Sequence, residues 1–190
     1  MLHRAIFLDR DGTLNEDRGY THQVSALRLL PGVVPGLLQL ARLGFRLVIV
    51  SNQSGVARGR FSEVDVRQFN TALCAQLAER GIEISGVYYS PFHPTAGVGT
   101  YRRDSECRKP RPGMLLTAAR ELALDLSGSF AIGDKVSDVA AGQAAGCRTI
   151  LLETGQAGRG EPELSVRPDA VARDLVHAAE LITHWPAQAA

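Results

Sequence analysis

Cysteine is scarce in this sequence of 190 residues, and long hydrophobic runs are absent. The three cysteines, Cys74, Cys107 and Cys147, are odd in number and widely spaced, which argues against a disulfide framework and suits a reducing compartment. No apolar run approaches the ~18 residues of a membrane-spanning helix. The first apolar run ends at the charges of Asp9 and Asp11, so the pattern of a signal peptide is missing. The sequence therefore predicts a soluble, cytoplasmic protein.

An excess of charge of either sign is also missing. Lys and Arg total 21 and Asp and Glu total 20, which gives a formal net charge of +1. This balance provides no basic field for nucleic acid, and no lysine-rich amphipathic stretch indicates a membrane surface. The P-loop, dinucleotide-binding, zinc-peptidase and serine-hydrolase motifs do not occur. We expect a monomer that recognises a small-molecule partner locally.

Short apolar runs alternate along the chain with longer amphipathic segments. The runs are continuous, as in parallel strands that are buried on both faces. This order predicts an α/β fold, a doubly wound and mainly parallel sheet with helices on both faces. The length favours one domain over residues 1–190. The predicted strands are 5–8, 47–50, 87–89, 130–132 and 149–152, and the predicted helices are 33–43, 63–80, 113–123, 136–145 and 173–183.

Two segments, 91–112 and 155–169, do not fit the alternation. Both are polar and contain glycine and proline. Unstructured stretches of this length in a compact domain are typically functional or mobile.

Polar and charged side chains follow the predicted strands, at the edge where ligands bind in an open α/β sheet. Asp9 and Asp11 follow the first strand, Ser51 follows the second, and Asp134 follows the fourth. Lys109 comes from segment 91–112. Three carboxylates, a hydroxyl and a lysine could therefore converge on one crevice.

The spacing of Asp9 and Asp11 places both side chains on the same side of an extended chain. Two such carboxylates repel each other, and Asp134 would add a third negative charge. A hard divalent cation with oxygen ligands relieves this repulsion, which favours Mg²⁺ over zinc. Ser51, Lys109 and the backbone N–H groups of glycine-rich turns would then bind phosphate.

Each of these residues alone has a simpler explanation. Asp-x-Asp-Gly after an apolar run is often a solvated turn, and Ser51 with Asn52 could cap a helix. Lys109 alone would be a surface charge, and Asp134 alone an ordinary turn residue. Their joint placement at strand ends, in order, favours the catalytic alternative.

Four segments in order resemble the motifs of haloacid dehalogenase-like phosphatases, over nearly the whole chain. They are Phe7-Leu8-Asp9-Arg10-Asp11-Gly12-Thr13, Ser51-Asn52, Lys109 and Gly133-Asp134. The resemblance implies a Rossmann-like domain without a large cap. It also implies that Asp9 is the nucleophile that forms an aspartyl-phosphate, and that Asp11 is the general acid and base. Ser51 and Lys109 would hold the phosphoryl oxygens, and Mg²⁺ would bind at Asp9, Asp11 (through its backbone carbonyl) and Asp134.

Finer details resemble the members that remove the 7-phosphate of D-glycero-D-manno-heptose 1,7-bisphosphate, a precursor step for lipopolysaccharide or S-layer heptose. These details lie in residues 17–20, 51–59 and 107–114. A phosphatase for histidinol phosphate or another small phosphate ester is the alternative, followed by a non-catalytic phospho-ligand binder. The substrate-binding residues implied are Asp17, Arg18, Gly19, Tyr20, Ser51, Asn52, Gln53, Ser54, Arg108, Lys109 and Lys135.

One departure from the family pattern concerns zinc. Such phosphatases commonly carry a C-x-H…C-x-C loop before the third motif, and in this chain only Cys107 matches. His93 is one position off, and one thiol with one imidazole makes at most half of a tetrahedral site. We therefore expect no structural zinc. Ion pairs among Arg102, Arg103, Asp104 and Glu106 would order the loop instead.

Overall fold

The computed structural model describes residues 2–158 and 166–186. In this part of the chain, six parallel strands form one sheet in the order β3-β2-β1-β4-β5-β6, with five α-helices around it. The strands are β1 His3–Leu8, β2 Arg46–Asn52, β3 Gly86–Ser90, β4 Leu124–Gly133, β5 Arg148–Leu152 and β6 Ala170–Ala172, and the helices are α1 Val33–Arg42, α2 Glu63–Ala78, α3 Gly113–Glu121, α4 Val136–Ala145 and α5 Leu175–Thr183. The predicted doubly wound α/β fold is confirmed.

The central strands are apolar throughout because both faces of the sheet are covered. Ile6 and Leu8 of β1 pack with residues of α1, α2 and α5 on one face. Phe7, between them, packs with residues of α3 and α4 on the other face. Fully burying one such side chain stabilises the fold by about 2 kcal/mol. Alternate side chains of β1 thus pack against both helical layers, which fixes the position of the strand that ends directly before Asp9.

The predicted helix and strand bounds hold to within a few residues, with two differences. β4 begins at Leu124, before the predicted apolar core of the strand, and β6 was not predicted at all. Helix α2 begins as predicted, because the Ser62 side chain accepts a hydrogen bond from Asp65 N–H and the Asp65 carboxylate accepts one from Ser62 N–H. No helix among the described residues is long and apolar enough to span a bilayer.

Segment 91–112 contains a 3₁₀ turn, Gly99–Tyr101, and is held by charged side chains. The prediction of ion pairs was correct for the carboxylates of Asp104 and Glu106 but wrong about the cation. Arg111 pairs with both, at 2.7 Å from Glu106. Arg103 instead stacks its guanidinium 3.9 Å from the centroid of the Phe92 ring. Residues 159–165 of the second irregular segment lie outside the described residues.

Candidate active site

The carboxyl ends of β1, β2 and β4 bring the predicted site residues together. Asp9 N–H donates to the carbonyl of Ile132 at 3.0 Å, which holds the end of β1 against β4. Lys109 reaches the same place from segment 91–112, where its backbone exchanges two hydrogen bonds with the Asn52 side chain, at 2.9 and 3.1 Å. Adjacent parallel strands that end at one edge thus assemble a site from distant parts of the sequence.

A buried lysine joins two aspartates at the centre of the site. Lys109 Nζ lies 2.8 Å from Asp9 Oδ1 and 2.6 Å from Asp138 Oδ1, and it donates to the carbonyl of Val50 at 2.7 Å. Burial alone would raise the pKa of Asp9, but Lys109 and Lys135 hold it well below its usual value. Burial alone would lower the pKa of Lys109, but Asp138 and Asp9 raise it. Asp9 is therefore an anion at neutral pH although it is buried.

Asp9, Asp134 and Asp138 place carboxylate oxygens within 4.8 Å of one another. Burial, and then the neighbouring charge of Asp9, raises the pKa of Asp134 to about 7 and the pKa of Asp138 to about 6. Asp134 Oδ2 accepts a hydrogen bond from Gln156 N–H at 2.7 Å, whereas the buried Asp134 Oδ1 has no hydrogen-bond partner in the described part of the chain. The group therefore offers the carboxylate oxygens that a hard divalent cation prefers as ligands.

Lys135 supplies a second positive charge to this group. Its Nζ lies 3.5 Å from Asp9 Oδ2 and 3.8 Å from Asp134 Oδ1, and it donates to the backbone carbonyl of Asp11 at 3.4 Å. The predicted metal ligands, with Asp11 contributing its carbonyl, therefore surround one point.

The side chain of Asp11 has a different environment. Its carboxylate accepts hydrogen bonds from Arg10, Asn15 and Gln53. Each carboxylate thus has its own positively charged or hydrogen-bonding partners, which are Lys109 and Lys135 at Asp9 and Arg10, Asn15 and Gln53 at Asp11.

Gly12 is required for the close approach of β1 and the Asp134 side chain. Its φ is +86°, and a Cβ at this position would lie 2.4 Å from Asp134 Oδ2. The backbone carbonyl of Gly12 also accepts a hydrogen bond from Thr154 Oγ1 at 2.7 Å. The glycine thus lets the Asp9 turn pack directly on Asp134.

Gly12→Ala is expected to weaken the binding of a divalent cation at least about 10-fold, because the methyl group displaces Asp134, and left-handed strain adds about 1 kcal/mol. Calorimetric titration with Mg²⁺ measures this effect. Gly44→Ala is the matched control, because Gly44 has a similar φ of +83° with open space around its Cβ position. Equal cation affinity in the two variants would contradict the role given to the Gly12 contact.

A cavity of about 260 Å³ opens beside these residues. Arg18, which was also predicted to bind substrate, is exposed and pairs with Glu16 at 2.7 Å instead of lining this cavity. Ser51 and Lys109, also predicted to bind substrate, are buried and are not part of the lining; Ser51 contacts the lining residue Gln53, and Lys109 contacts Asp9. The lining comprises Asp11, Asp17, Gly19, Tyr20, Asn52, Gln53, Ser54, Gly55, Phe61, Arg108, Lys135 and Ser137.

The sequence places Arg10 and Asp138 near the strand ends, but sequence reasoning gave neither residue a role in the site. Asp138 lies in the first turn of α4, one helical turn after Asp134, and its Oδ2 accepts a hydrogen bond from Lys135 N–H at 3.0 Å. The signal was available, because a second aspartate at this spacing after a strand faces the same edge of the sheet. Arg10 points in the opposite direction, into the protein, and nothing in the motif indicates its partners.

Comparisons with known proteins agree with this architecture. A family model described as HAD-hydrolase-like matches residues 106–178. The D-glycero-beta-D-manno-heptose-1,7-bisphosphate 7-phosphatase of Pasteurella multocida (strain Pm70) is 48% identical over 156 residues, which cover 82% of this chain and 84% of that protein.

Two solved structures are similar over nearly the whole chain. The D,D-heptose 1,7-bisphosphate phosphatase of B. bronchiseptica, solved in complex with magnesium and phosphate, is 32% identical with a TM-score of 0.81 and covers 95% of this chain and 98% of that chain. A HAD-like phosphatase of Mesorhizobium loti is 35% identical with a TM-score of 0.82 and covers 96% of this chain and 85% of that chain.

Proposed function

The chain belongs to the haloacid dehalogenase-like family that includes these heptose bisphosphate phosphatases, and we propose that it hydrolyses the 7-phosphate of D-glycero-D-manno-heptose 1,7-bisphosphate. It is a phosphoric monoester hydrolase. The observation that carries the proposal is the buried Asp9 carboxylate, which Lys109 and Lys135 keep ionised beside a cavity that Asp11 and Lys135 line. The reaction would serve the synthesis of heptose precursors in the cytoplasm.

Asp9 is the proposed nucleophile. One of its oxygens attacks phosphorus, the bond from phosphorus to the sugar oxygen breaks, and an aspartyl-phosphate forms that water then hydrolyses. Lys109 Nζ donates a hydrogen bond to Asp9 Oδ1. The other oxygen, Oδ2, lies on the side of Lys135 and of the backbone carbonyl of Asp11. Lys109 thereby both orients the nucleophile and places a positive charge beside the phosphoryl oxygens.

Ser51 is the proposed hydroxyl donor to the phosphoryl group. Its Oγ accepts a hydrogen bond from Gln53 Nε2 at 2.8 Å, which leaves its own O–H to donate. Asp11 lines the cavity and is the proposed general acid and base, which protonates the departing sugar oxygen and later takes a proton from the attacking water.

Mg²⁺ is the proposed cofactor, and the residues fit it. Asp9, the carbonyl of Asp11 and Asp134 would hold the ion, since Asp134 Oδ1 is buried without a hydrogen-bond partner among the described residues. When bound, the ion would neutralise the negative charge that the phosphate group brings to three aspartates. Asp138, whose two oxygens contact Lys109 and Lys135 N–H, instead fixes the position of Lys109.

Substrate choice is proposed to depend on the loops around the cavity, in a single domain without a large cap. Asp17 and Tyr20 from the first loop line the cavity together with Arg108 and Lys135. Arg108 suits a second phosphate, because Lys135 already faces Asp9 and Asp134, and the carboxylate of Asp17 and the polar groups beside it suit sugar hydroxyls. A bisphosphorylated sugar satisfies both sets of groups.

The test is phosphate release by the purified chain with Mg²⁺, with the position of the lost phosphate identified by ³¹P NMR. We expect kcat/KM for the heptose 1,7-bisphosphate to exceed that for histidinol phosphate by at least about 100-fold, because the monophosphate has no second phosphate for Arg108 to bind. A preference for histidinol phosphate would support the alternative substrate instead. Binding of phosphate without turnover of either compound would indicate a non-catalytic binder.

A further inference from the structure

Arg10 is a completely buried arginine whose donors all point into the protein. Its Nη1 donates to Asn70 Oδ1 at 3.0 Å, and its Nη2 donates to the carbonyl of Thr21 at 2.8 Å and to Gln53 Oε1 at 3.1 Å. The guanidinium also stacks on the Phe69 ring, 4.4 Å from its centroid. Arg10 is therefore fixed from several directions by residues of α2 and the neighbouring loops.

The same guanidinium grips the carboxylate of Asp11. Arg10 Nε donates to Asp11 Oδ1 at 3.1 Å and Nη2 donates to Oδ2 at 2.7 Å, a two-point contact that fixes the plane of the carboxylate. Asn15 Nδ2 adds a donor to Oδ1 at 2.9 Å, and Gln53 Nε2 adds one to Oδ2 at 2.9 Å.

These four donors occupy the four lone-pair positions of the Asp11 carboxylate. Proton transfer to or from a substrate therefore requires one donor to withdraw. Arg10 is the least able to move, because Phe69, Asn70 and Thr21 anchor it away from the cavity. Gln53 lines the cavity and also contacts Ser51, so it is the donor that an arriving phosphate can displace.

We propose that Arg10 is the positioning residue for proton transfer, which holds Asp11 at a fixed angle to the leaving group while Gln53 gives way. The proposal rests on the role of Asp11 given above. A guanidinium is needed because only its planar fork contacts both oxygens at once, whereas a lysine ammonium makes a point contact. Arg10 itself does not touch the substrate and acts through Asp11.

The test compares a sugar phosphate, whose alkoxide leaves only with a proton, with p-nitrophenyl phosphate, whose phenolate leaves without one. Hydrolysis of the aspartyl-phosphate also uses Asp11 and is common to both substrates, so the rate constant for release of the leaving group is measured in a single turnover. For Arg10→Lys we expect this rate constant to fall about 100-fold with the heptose 1,7-bisphosphate and less than about 5-fold with p-nitrophenyl phosphate. Asn70→Ala removes an anchor of Arg10 and leaves Asp11 intact. Asn70→Ala should give the same selective loss, of about 5- to 10-fold, and it tests the proposal if Arg10→Lys does not fold.

Asp11→Asn separates this inference from the proposed function. It should show the selective loss in leaving-group release by itself, and adding Arg10→Lys to it should change the rate constant of that step for the sugar phosphate less than about 2-fold, because the two residues act in one step. Equal losses for both substrates in Arg10→Lys and Asn70→Ala, with selective loss in Asp11→Asn, would overturn the role of Arg10 alone. Absence of selective loss in Asp11→Asn would overturn the role of Asp11 and this inference with it.

Discussion

Asp9→Asn is expected to lower kcat for phosphate release by at least about 10⁴-fold, because an amide oxygen is too weak a nucleophile to form the phosphoryl intermediate. The substitution preserves size, and Lys109 keeps its 2.6 Å contact with Asp138. The free energy of unfolding should therefore change by less than about 2 kcal/mol. Phosphate release and urea unfolding, measured on the same preparation, separate loss of chemistry from loss of fold.

Asp125→Asn is the matched control for this prediction. Asp125 lies near the start of β4, at the opposite end of the strand from the site, and its carboxylate accepts hydrogen bonds from the N–H and the hydroxyl of Ser127. We expect its kcat to equal that of the unaltered chain. Activity within about 10-fold of the unaltered chain in Asp9→Asn would contradict the assignment of the nucleophile.

The sheet and the strand ends could be predicted because their signals are local. A continuous apolar run such as Leu47 to Val50 indicates a strand that is buried on both faces, and the first polar residue after it marks the edge where ligands bind. Asp9, Ser51 and Asp134 were found in this way. β6 could not be predicted, because a strand of three residues at the edge of a sheet is too short to show a hydrophobic pattern.

The partners of the site residues could not be predicted, because they depend on contacts between distant segments. Arg10 meets Asn70 across 60 positions, and Lys109 meets Asp9 across 100. The sequence of a motif does not show whether a charged side chain faces the ligand or the core. Only the packing of α2 against the first loop shows that Arg10 turns inward, whereas Asp11 and Lys135 line the cavity.

Lys109→Met is expected to cost about 3–5 kcal/mol of unfolding free energy in the absence of Mg²⁺, because it leaves Asp9 and Asp138 buried without their shared cation. Methionine keeps the apolar stem, so the loss reports the charge. Saturating Mg²⁺ should restore part of the stability, since a ligand that binds only the folded state stabilises it. Urea unfolding with EDTA and with Mg²⁺ measures both effects.

A second substitution shows whether the loss in Lys109→Met comes from the stranded charges. Asp138→Asn removes one of the two carboxylates that Lys109 neutralises, so the double variant Lys109→Met/Asp138→Asn should be more stable than Lys109→Met alone. Its kcat should remain about 10²- to 10³-fold below that of the unaltered chain, because the charge beside the phosphoryl oxygens is still missing.

The chain has only two lysines, Lys109 and Lys135, so Lys135→Met provides the matched control. Lys135 is more exposed and lies farther from Asp9, at 3.5 Å against 2.8 Å, and its removal should cost less stability. An equal loss in the two variants, or no recovery in the double variant, would mean that Lys109 stabilises the fold by packing rather than by neutralising Asp9 and Asp138.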